Sequence, residues 1–501
     1  MPCVFGEKMI KEKDLIRREK ILNGNLVVAI ISICAPIFLY NLFNSFYSVI
    51  DAVVVARIDP SSVSAVAMLS QIQHLLSSIG SGVAAGGGII VARLFGAGKM
   101  DDARFHSNQV ISLSSIVIAI LLAVCLPLAL PIMRLSGVPD ELISIGTGYF
   151  IVQILNLAFV FYNSVFMAMQ KAKGNTKIMF WLNILVMVLK LSLSVLFIWV
   201  LEKKDIMWVA LATMIGQAVM FVILLLMMLE RGNVFAIKIK EFKLNLNVCK
   251  DIFAMSFPIF LGKFIFSFGK VSINRMCKAY GPLVVGALGV SNNMNGLATT
   301  PINSFEEGTS TIISQNLGAG NTKRAMKTFR YSFIMATSLG IIGYILIRFL
   351  LQDEIIGLYN QNELAEGAEE FLALIKSIHR YDSLSILALA VNSSVLGVLY
   401  GYGKTKMTMI LNISRVFLFR IPILWYLQTF HKEIGAEAAG ISMGISNICI
   451  ALASILCLVI FLWQNKRKEK ATREQNSEQG SEQSSDPEPE QSAEQITEQA
   501  S

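Results

Sequence analysis

The sequence predicts an all-α integral membrane protein. Twelve transmembrane helices form two six-helix bundles, related by a pseudo-two-fold axis along the membrane normal. Three observations predict it. The 501 residues are 54% hydrophobic and 16% charged, where a soluble domain carries about a quarter charged residues. That is too little charge to cover the surfaces a water-soluble chain of this length would present. Lys and Arg alternate between dense and sparse from one connection to the next. The second half of the chain repeats the first. Composition alone therefore excludes a soluble enzyme, a disordered scaffold and a fibrous protein. The net charge of +8 does not mark a nucleic-acid binder, because the basic residues are dispersed between apolar runs.

A helix needs about 20 apolar residues to cross the hydrocarbon core, and its backbone groups must be paired internally there. Candidate spans run roughly over 26–50, 62–92, 108–135, 143–170, 178–201, 207–230, 250–275, 284–314, 325–351, 369–402, 406–430 and 436–463. The first lacks a small-residue cleavage site and reads as a retained span, not a removed signal peptide. Twenty-eight Lys and Arg fall in one set of alternate connections, against eight in the other. The positive-inside rule then places the richer set and both termini in the cytoplasm, with the spans in the plasma membrane. The organisation follows: a basic cytoplasmic arm (1–24), an N-terminal bundle (25–230), a cytoplasmic connection (231–249), a C-terminal bundle (250–463) and a disordered cytoplasmic tail (464–501). The tail is assigned from its Glu, Gln, Ser, Ala and Pro, with almost no large apolar side chain to bury.

The repeat is read by shifting the chain against itself. At 222 residues, Pro36-Ile37-Phe38-Leu39 meets Pro258-Ile259-Phe260-Leu261, and Gly96-Ala97-Gly98 meets Gly318-Ala319-Gly320, with no gap. At 229, Asn163-Ser164 meets Asn392-Ser393, Thr176-Lys177 meets Thr405-Lys406, and Asn183-Ile184 meets Asn412-Ile413. Six spans per repeat is an even number, so both halves enter from the same side, as in parallel-repeat transporters. Two bundles facing each other leave a cleft that rocking exposes to each side in turn. This favours a carrier over a channel, and no filter-like carbonyl loop is present. Nor is there an HExxH motif or a CxxC pair, so neither an enzyme nor a metal cofactor is implied.

A Pro in the first span, Asp51 fifteen residues on, the paired Gly-Ala-Gly boxes and the Gly-x-Thr turns Gly174-Asn175-Thr176 and Gly403-Lys404-Thr405 form a pattern. It resembles the multidrug and toxic compound extrusion (MATE) family of the multidrug/oligosaccharidyl-lipid/polysaccharide exporter superfamily, over residues 25–463. The resemblance implies an exporter of amphipathic, often cationic compounds, coupled to H+ or Na+ and needing no other cofactor. It also implies a membrane-embedded Asp in the first span, which Asp51 matches, and an Asn in the fifth, which Asn183 matches. Met187 stands where the family often has an Asp one turn later, and the seventh span carries Lys263 and Lys270 in place of a Glu.

Ionisable groups within spans default to functional candidates. Asp51, Glu306 and Glu307 are the candidates for cation coupling. Lys263, the repeat mate of Asn41, lies deep enough to form an ion pair with Glu306 or Glu307, either structural or broken and re-formed during exchange. Lys263 and Lys270 share a helix face. Together with Arg415 they make the second half more basic than the first. Asn41, Asn163, Asn183, Asn392, Lys263, Lys270 and Arg415 are the candidate cleft residues, the asparagines serving as interhelical glue or ligand contacts. The sequence reading is a cation-coupled antiporter of small amphipathic, cationic molecules. It meets a small-molecule substrate and membrane lipids, binds no nucleic acid and acts as a monomer. The alternative is a flippase for a lipid-linked or anionic cargo, which a basic cleft would suit.

Overall fold

The computed structural model describes residues 2–56, 60–136, 138, 140–203, 205–230, 232–357 and 368–483. Side chains of 2–11, 45–56, 60–64, 67, 239, 282, 368, 466 and 468–483 lie outside the described set. Asp51 is among them: its backbone is helical, and its side chain is outside the described residues. All described elements are helices or connecting turns. The described residues up to Ser454 form one compact unit, and those from Ile455 onward a second.

The first half comprises α1 (Pro2–Asn23), α2 (Leu26–Ala56), α3 (Pro60–Gly96), α4 (Met100–Cys125), α5 (Ala129–Leu135), α6 (Asp140–Ala172), α7 (Lys177–Val195) and α8 (Ile206–Leu229). The second comprises α9 (Leu246–Cys277), α10 (Pro282–Gly318), α11 (Thr322–Ile345), α12 (Gln352–Gly357), α13 (Ala368–Asp382), α14 (Ser385–Gly401), α15 (Thr405–Ile413), α16 (Ile421–Phe430) and α17 (Glu437–Gln483). Local chemistry sets several starts. Asn25 Oδ1 accepts from the amides of Val27 and Val28 at the head of α2. Asp205 and Asn245 cap α8 and α9 in the same way. Each predicted span has a helical counterpart. The span expected over 108–135 is instead α4 and a separate α5, because Pro127 supplies no amide and its ring disfavours continuation. The tail expected to be disordered from 464 is helical to Gln483: Glu, Gln, Lys, Arg and Ala are good helix formers, and extending a nucleated helix costs little. Residues 484–501 lie outside the described set.

Among the described residues, ten helices are long and apolar enough to cross a membrane, and α13 with α14, bent by 44°, form an eleventh. The twelfth is α10. It has 37 residues, about 55 Å at 1.5 Å per residue, yet its Asn, Thr and Glu content keeps it out of the apolar class. It tolerates those groups because it packs against α2, α3, α11, α13 and α14, which shield it from lipid.

The repeat is visible in backbone detail. Gly98 and Gly320 adopt φ of 77° and 76°, and Gly174 and Gly403 adopt 77° and 74°. These left-handed conformations are ones only glycine takes at little cost. The turn bonds also correspond: Lys99 N to Leu94 O matches Asn321 N to Asn316 O, and Asn175 N to Gln170 O matches Lys404 N to Leu399 O. These four turns mark the end of the molecule that carries the Lys- and Arg-rich loops, hereafter the basic face.

The arm at the chain start is a packed helix. Arg18 on α1 donates to Phe95 O and Gly96 O, and Arg324 at the head of α11 donates to Ile21 O. Asp14, 1% exposed, accepts from Arg17 at 2.6 Å and from Lys173 Nζ at 3.0 Å, and Lys173 also donates to Asn233. Burial pushes the Lys173 ammonium below its usual range, and the Asp14 carboxylate opposes that shift. Removing the carboxylate leaves a buried, unpaired cation. Asp14→Ala is therefore expected to speed amide exchange of α1 roughly a hundredfold, the equivalent of about 3 kcal/mol. Hydrogen-exchange mass spectrometry checks this, and unchanged protection of residues 12–23 would contradict it.

Candidate functional site

A cavity of about 310 Å³ lies where the two repeats meet. Its walls come from α2, α3, α6, α7 and α8 of the first half and from α9, α10 and α14 of the second. Asn41, Asn163, Lys263, Glu306 and Glu307 line it, as do Tyr40, Tyr400, Lys171 and Gln217. Met167, Met179, Met220, Ile89 and Ile259 supply the apolar part. Polarizable, flexible Met side chains beside a few fixed charges suit ligands of varied shape.

The charged groups are arranged asymmetrically. Glu307 pairs with Lys171 at 2.6 Å, joining α10 of the second half to the end of α6 in the first. Of the two carboxylates expected as partners for Lys263, Glu306 or Glu307, the second is therefore taken by Lys171. Lys263 stands in the field of both Glu306 and Glu307, and near them the Ser393 hydroxyl of α14 donates to Asn303 Oδ1 at 3.2 Å. Shifted by 222, Glu306 and Glu307 correspond to Ala84 and Ala85, which face the same cavity. Shifted by 229, Lys171 corresponds to Tyr400. Thus both carboxylates come from the second half, and the cation paired with Glu307 comes from the first.

The asparagines divide. Asn41 donates to Ser304 at 3.2 Å, and Asn163 to the side chain of Gln217 at 2.8 Å, both at the cavity wall. Asn183 does not line the cavity; it donates to Tyr40 O and ties α7 to α2. Asn392 is also away from it, accepting from Ser454 at 2.6 Å. Both act as interhelical glue.

Lys270 and Arg415 are displaced from the cleft as well. Both lie over Phe266, with cationic centres 5.0 and 4.9 Å from its ring centroid. Arg415 and Arg420 share Asn447 Oδ1, at 2.7 and 3.0 Å. Lys270 shares a face with Lys263 but lies about 10 Å further along α9, beyond the cavity. Asp382 lies in the same half at the α13–α14 break, accepting from Ser291 and Ser385 at 2.8 and 3.0 Å. Sequence reasoning missed Lys171 and Gln217 as site residues. Lys171 was counted only as a loop charge, although its alignment with Tyr400 places it within the last turn of the helix.

On the basic side of the cavity the halves are in close contact. Along α3 the cavity-lining residues Ser81, Ala84, Ala85, Gly88 and Ile89 give way to Arg93 and Gly96, and along α10 Glu306 through Thr311 give way to Gln315 and Gly318. A Cβ on Gly96 would lie 2.1 Å from Gln315 O, and one on Gly318 would lie 1.9 Å from Arg93 O. The two Gly-Ala-Gly boxes thus cross each other, each against its mate's helix.

The MatE family model matches residues 36–196 and again 258–426, its two starts separated by the 222 residues of the repeat. The chain belongs to the MATE family. The probable multidrug resistance protein YoeA of Bacillus subtilis is 20% identical over 443 residues, covering 86% of this chain and 93% of its own. The multidrug export protein MepA of Staphylococcus aureus (strain NCTC 8325) is 21% identical over 463 residues, covering 91% and 98%. A multidrug resistance MATE family transporter solved in an outward-facing conformation superposes with a TM-score of 0.82 at 18% identity, covering 89% of this chain and 97% of that one. At that identity the structural likeness shows the fold. This MATE chain is accordingly a multi-pass membrane transporter, not an enzyme.

Proposed function

We propose that this transporter exports small amphipathic, cationic molecules across the plasma membrane by alternating access, coupled to inward movement of H+ or Na+, with both termini cytoplasmic. The observation that carries the reading is the cavity between the repeats, lined by Glu306 together with Met167, Met179 and Met220, while Glu307 is engaged by Lys171. A cation entering that space finds one carboxylate without an ion pair among the described residues and a surface for its apolar body. Glu306 and Asp51 are the coupling carboxylates in this reading. The names of the relatives, multidrug export and multidrug resistance proteins, support the cargo class. One chain supplies both walls of the cavity, so a monomer suffices. The anionic-cargo alternative rested on a basic cleft. It loses Lys270 and Arg415, which lie over Phe266 away from the cavity.

The test is transport in proteoliposomes with independently imposed Na+ and proton gradients, against cationic, neutral and anionic dyes. Cationic dyes are expected to accumulate under one of the two gradients, with the anionic dyes unmoved. Preferential movement of an anionic dye, or uptake indifferent to both gradients, would reject the proposal.

A further inference from the structure

We propose that Arg93 and Gln315 are a paired latch: positioning residues that cross between the repeats and hold the basic face shut while the cavity is open elsewhere. This deepens the alternating-access reading and rests on it. Arg93 Nη2, near the end of α3 in the first half, donates at 3.0 Å to Gly401 O, the last residue of α14 in the second. Gln315 Nε2, near the end of α10 in the second half, donates at 2.6 Å to Ala172 O, the last residue of α6 in the first.

These two bonds are repeat mates. Residues 93 and 315 differ by the 222-residue shift, and residues 172 and 401 by the 229-residue shift. Both acceptors are terminal helix carbonyls, which have no partner within their own helix and sit at the negative end of its dipole. Each half therefore presents a donor that reaches across to a helix-end carbonyl of the other; Ala172 O takes Gln315, and Gly401 O takes Arg93 beside a 3.1 Å bond from Ser314 of its own half. The surrounding contacts obey the same symmetry. Gly96 meets Gln315 O as Gly318 meets Arg93 O, and Gly86 meets Ser256 as Gly308 meets Cys34. Each of these contacts joins one repeat to the other. They can therefore form and break without disturbing either half's own packing, and separation of the basic face must break the whole set.

The limbs differ chemically. Arg93 makes a charge-assisted bond and Gln315 a neutral one, so the Arg limb is the stronger. The symmetry also makes a rescue prediction. Gln315 reaches Ala172 O from the equivalent position, so a Gln at 93 has the reach for Gly401 O. Arg93→Gln should keep the latch, whereas Arg93→Met, similar in length but without a donor, should lose it.

The experiment places spin labels on Lys99→Cys and Asn321→Cys, the exposed repeat mates just beyond the two Gly-Ala-Gly boxes. It uses the full-length chain with its native cysteines replaced, in lipid nanodiscs. Distances by pulsed electron resonance are compared for the parent, Arg93→Met, Gln315→Met and Arg93→Gln. Arg93→Met is expected to raise the open-to-closed ratio at the basic face about tenfold, Gln315→Met by less, and Arg93→Gln within about twofold of the parent. Unchanged distances in both Met variants, or opening by Arg93→Gln equal to that of Arg93→Met, would overturn the latch. Should Arg93→Met not yield monodisperse protein, Gln315→Met and Arg93→Gln decide by the same distances. The readout needs no cargo or ion gradient. Loss of the transport reading would leave the distance changes standing, and a transporting parent whose distances ignore these substitutions would sink the latch alone.

Discussion

Gly318→Ala is expected to prevent closure of the basic face and to stop transport, while leaving each six-helix half folded. The added Cβ would lie 1.9 Å from Arg93 O and 3.0 Å from Ala97 N. Both obstacles are backbone atoms, one in the last turn of α3 and one immediately after it, with no side-chain rotamer to move aside. Ordinary contact can be restored only by parting α3 from α10. That separation also dismantles the reciprocal Gly96 contact and stretches the bonds from Arg93 and Gln315. Overpacking of this kind costs about 1–3 kcal/mol. The cost falls on contacts between the repeats, so it penalises the closed state and spares the fold. At 1.4 kcal/mol per decade the closed population drops roughly fivefold to a hundredfold. Spin-label distances across the basic face and dye transport in proteoliposomes both read the effect. Gly320→Ala is the control: its φ of 76° makes a side chain strained, but nothing lies within 4 Å of the new methyl. Closure at the Gly320 variant should resemble that of the parent. Equal behaviour of the two alanine variants would show that the crossing is not what limits closure.

The architecture was legible in the sequence because membrane spanning writes itself into composition, and duplication into register. The pairs Gly98/Gly320 and Gly174/Gly403, found by shifting the chain, have the same left-handed backbone and the same turn bonds. Helix α10 shows where hydropathy stops being informative. The Glu306 and Glu307 that line the cavity belong to the polar content that holds α10 below the apolarity of a span. The site was only partly legible because helical periodicity gives direction without depth. Lys263 and Lys270 point the same way, yet one meets the cavity and the other Phe266. Lys171 was hidden for the opposite reason. Positive loop charges are expected at a membrane face, and nothing local separates a lysine facing lipid headgroups from one turned inward to Glu307. The latch was beyond reach of sequence pattern, because its acceptors are backbone carbonyls of Ala172 and Gly401 and leave no mark in residue type.

Glu306→Gln is expected to lower the affinity for cationic dyes by roughly tenfold or more, corresponding to at least 1.4 kcal/mol, and to abolish gradient-driven accumulation. The reasoning is charge balance in a confined space. The cavity holds Glu306, Glu307, Lys171 and Lys263, and the Lys171–Glu307 pair neutralises itself. Removing the Glu306 charge leaves Lys263 uncompensated, so the site turns from balanced to positive and repels the cargo it should hold. Lys263→Met should act in the opposite sense, tightening cationic dyes by exposing Glu306. The double variant separates two roles that the single ones confuse. With both charges gone, balance returns, and dye binding measured by fluorescence titration should recover most of its loss. Accumulation against a gradient should not recover, because the group that exchanges cargo for the coupling ion is still missing. Recovery of both would mean that Glu306 serves only to neutralise Lys263 and that coupling resides elsewhere, with Asp51 the next residue to replace. Recovery of neither would point to packing around Ser393 and Tyr400, and the isosteric Glu306→Gln should then show a lower thermal midpoint as well.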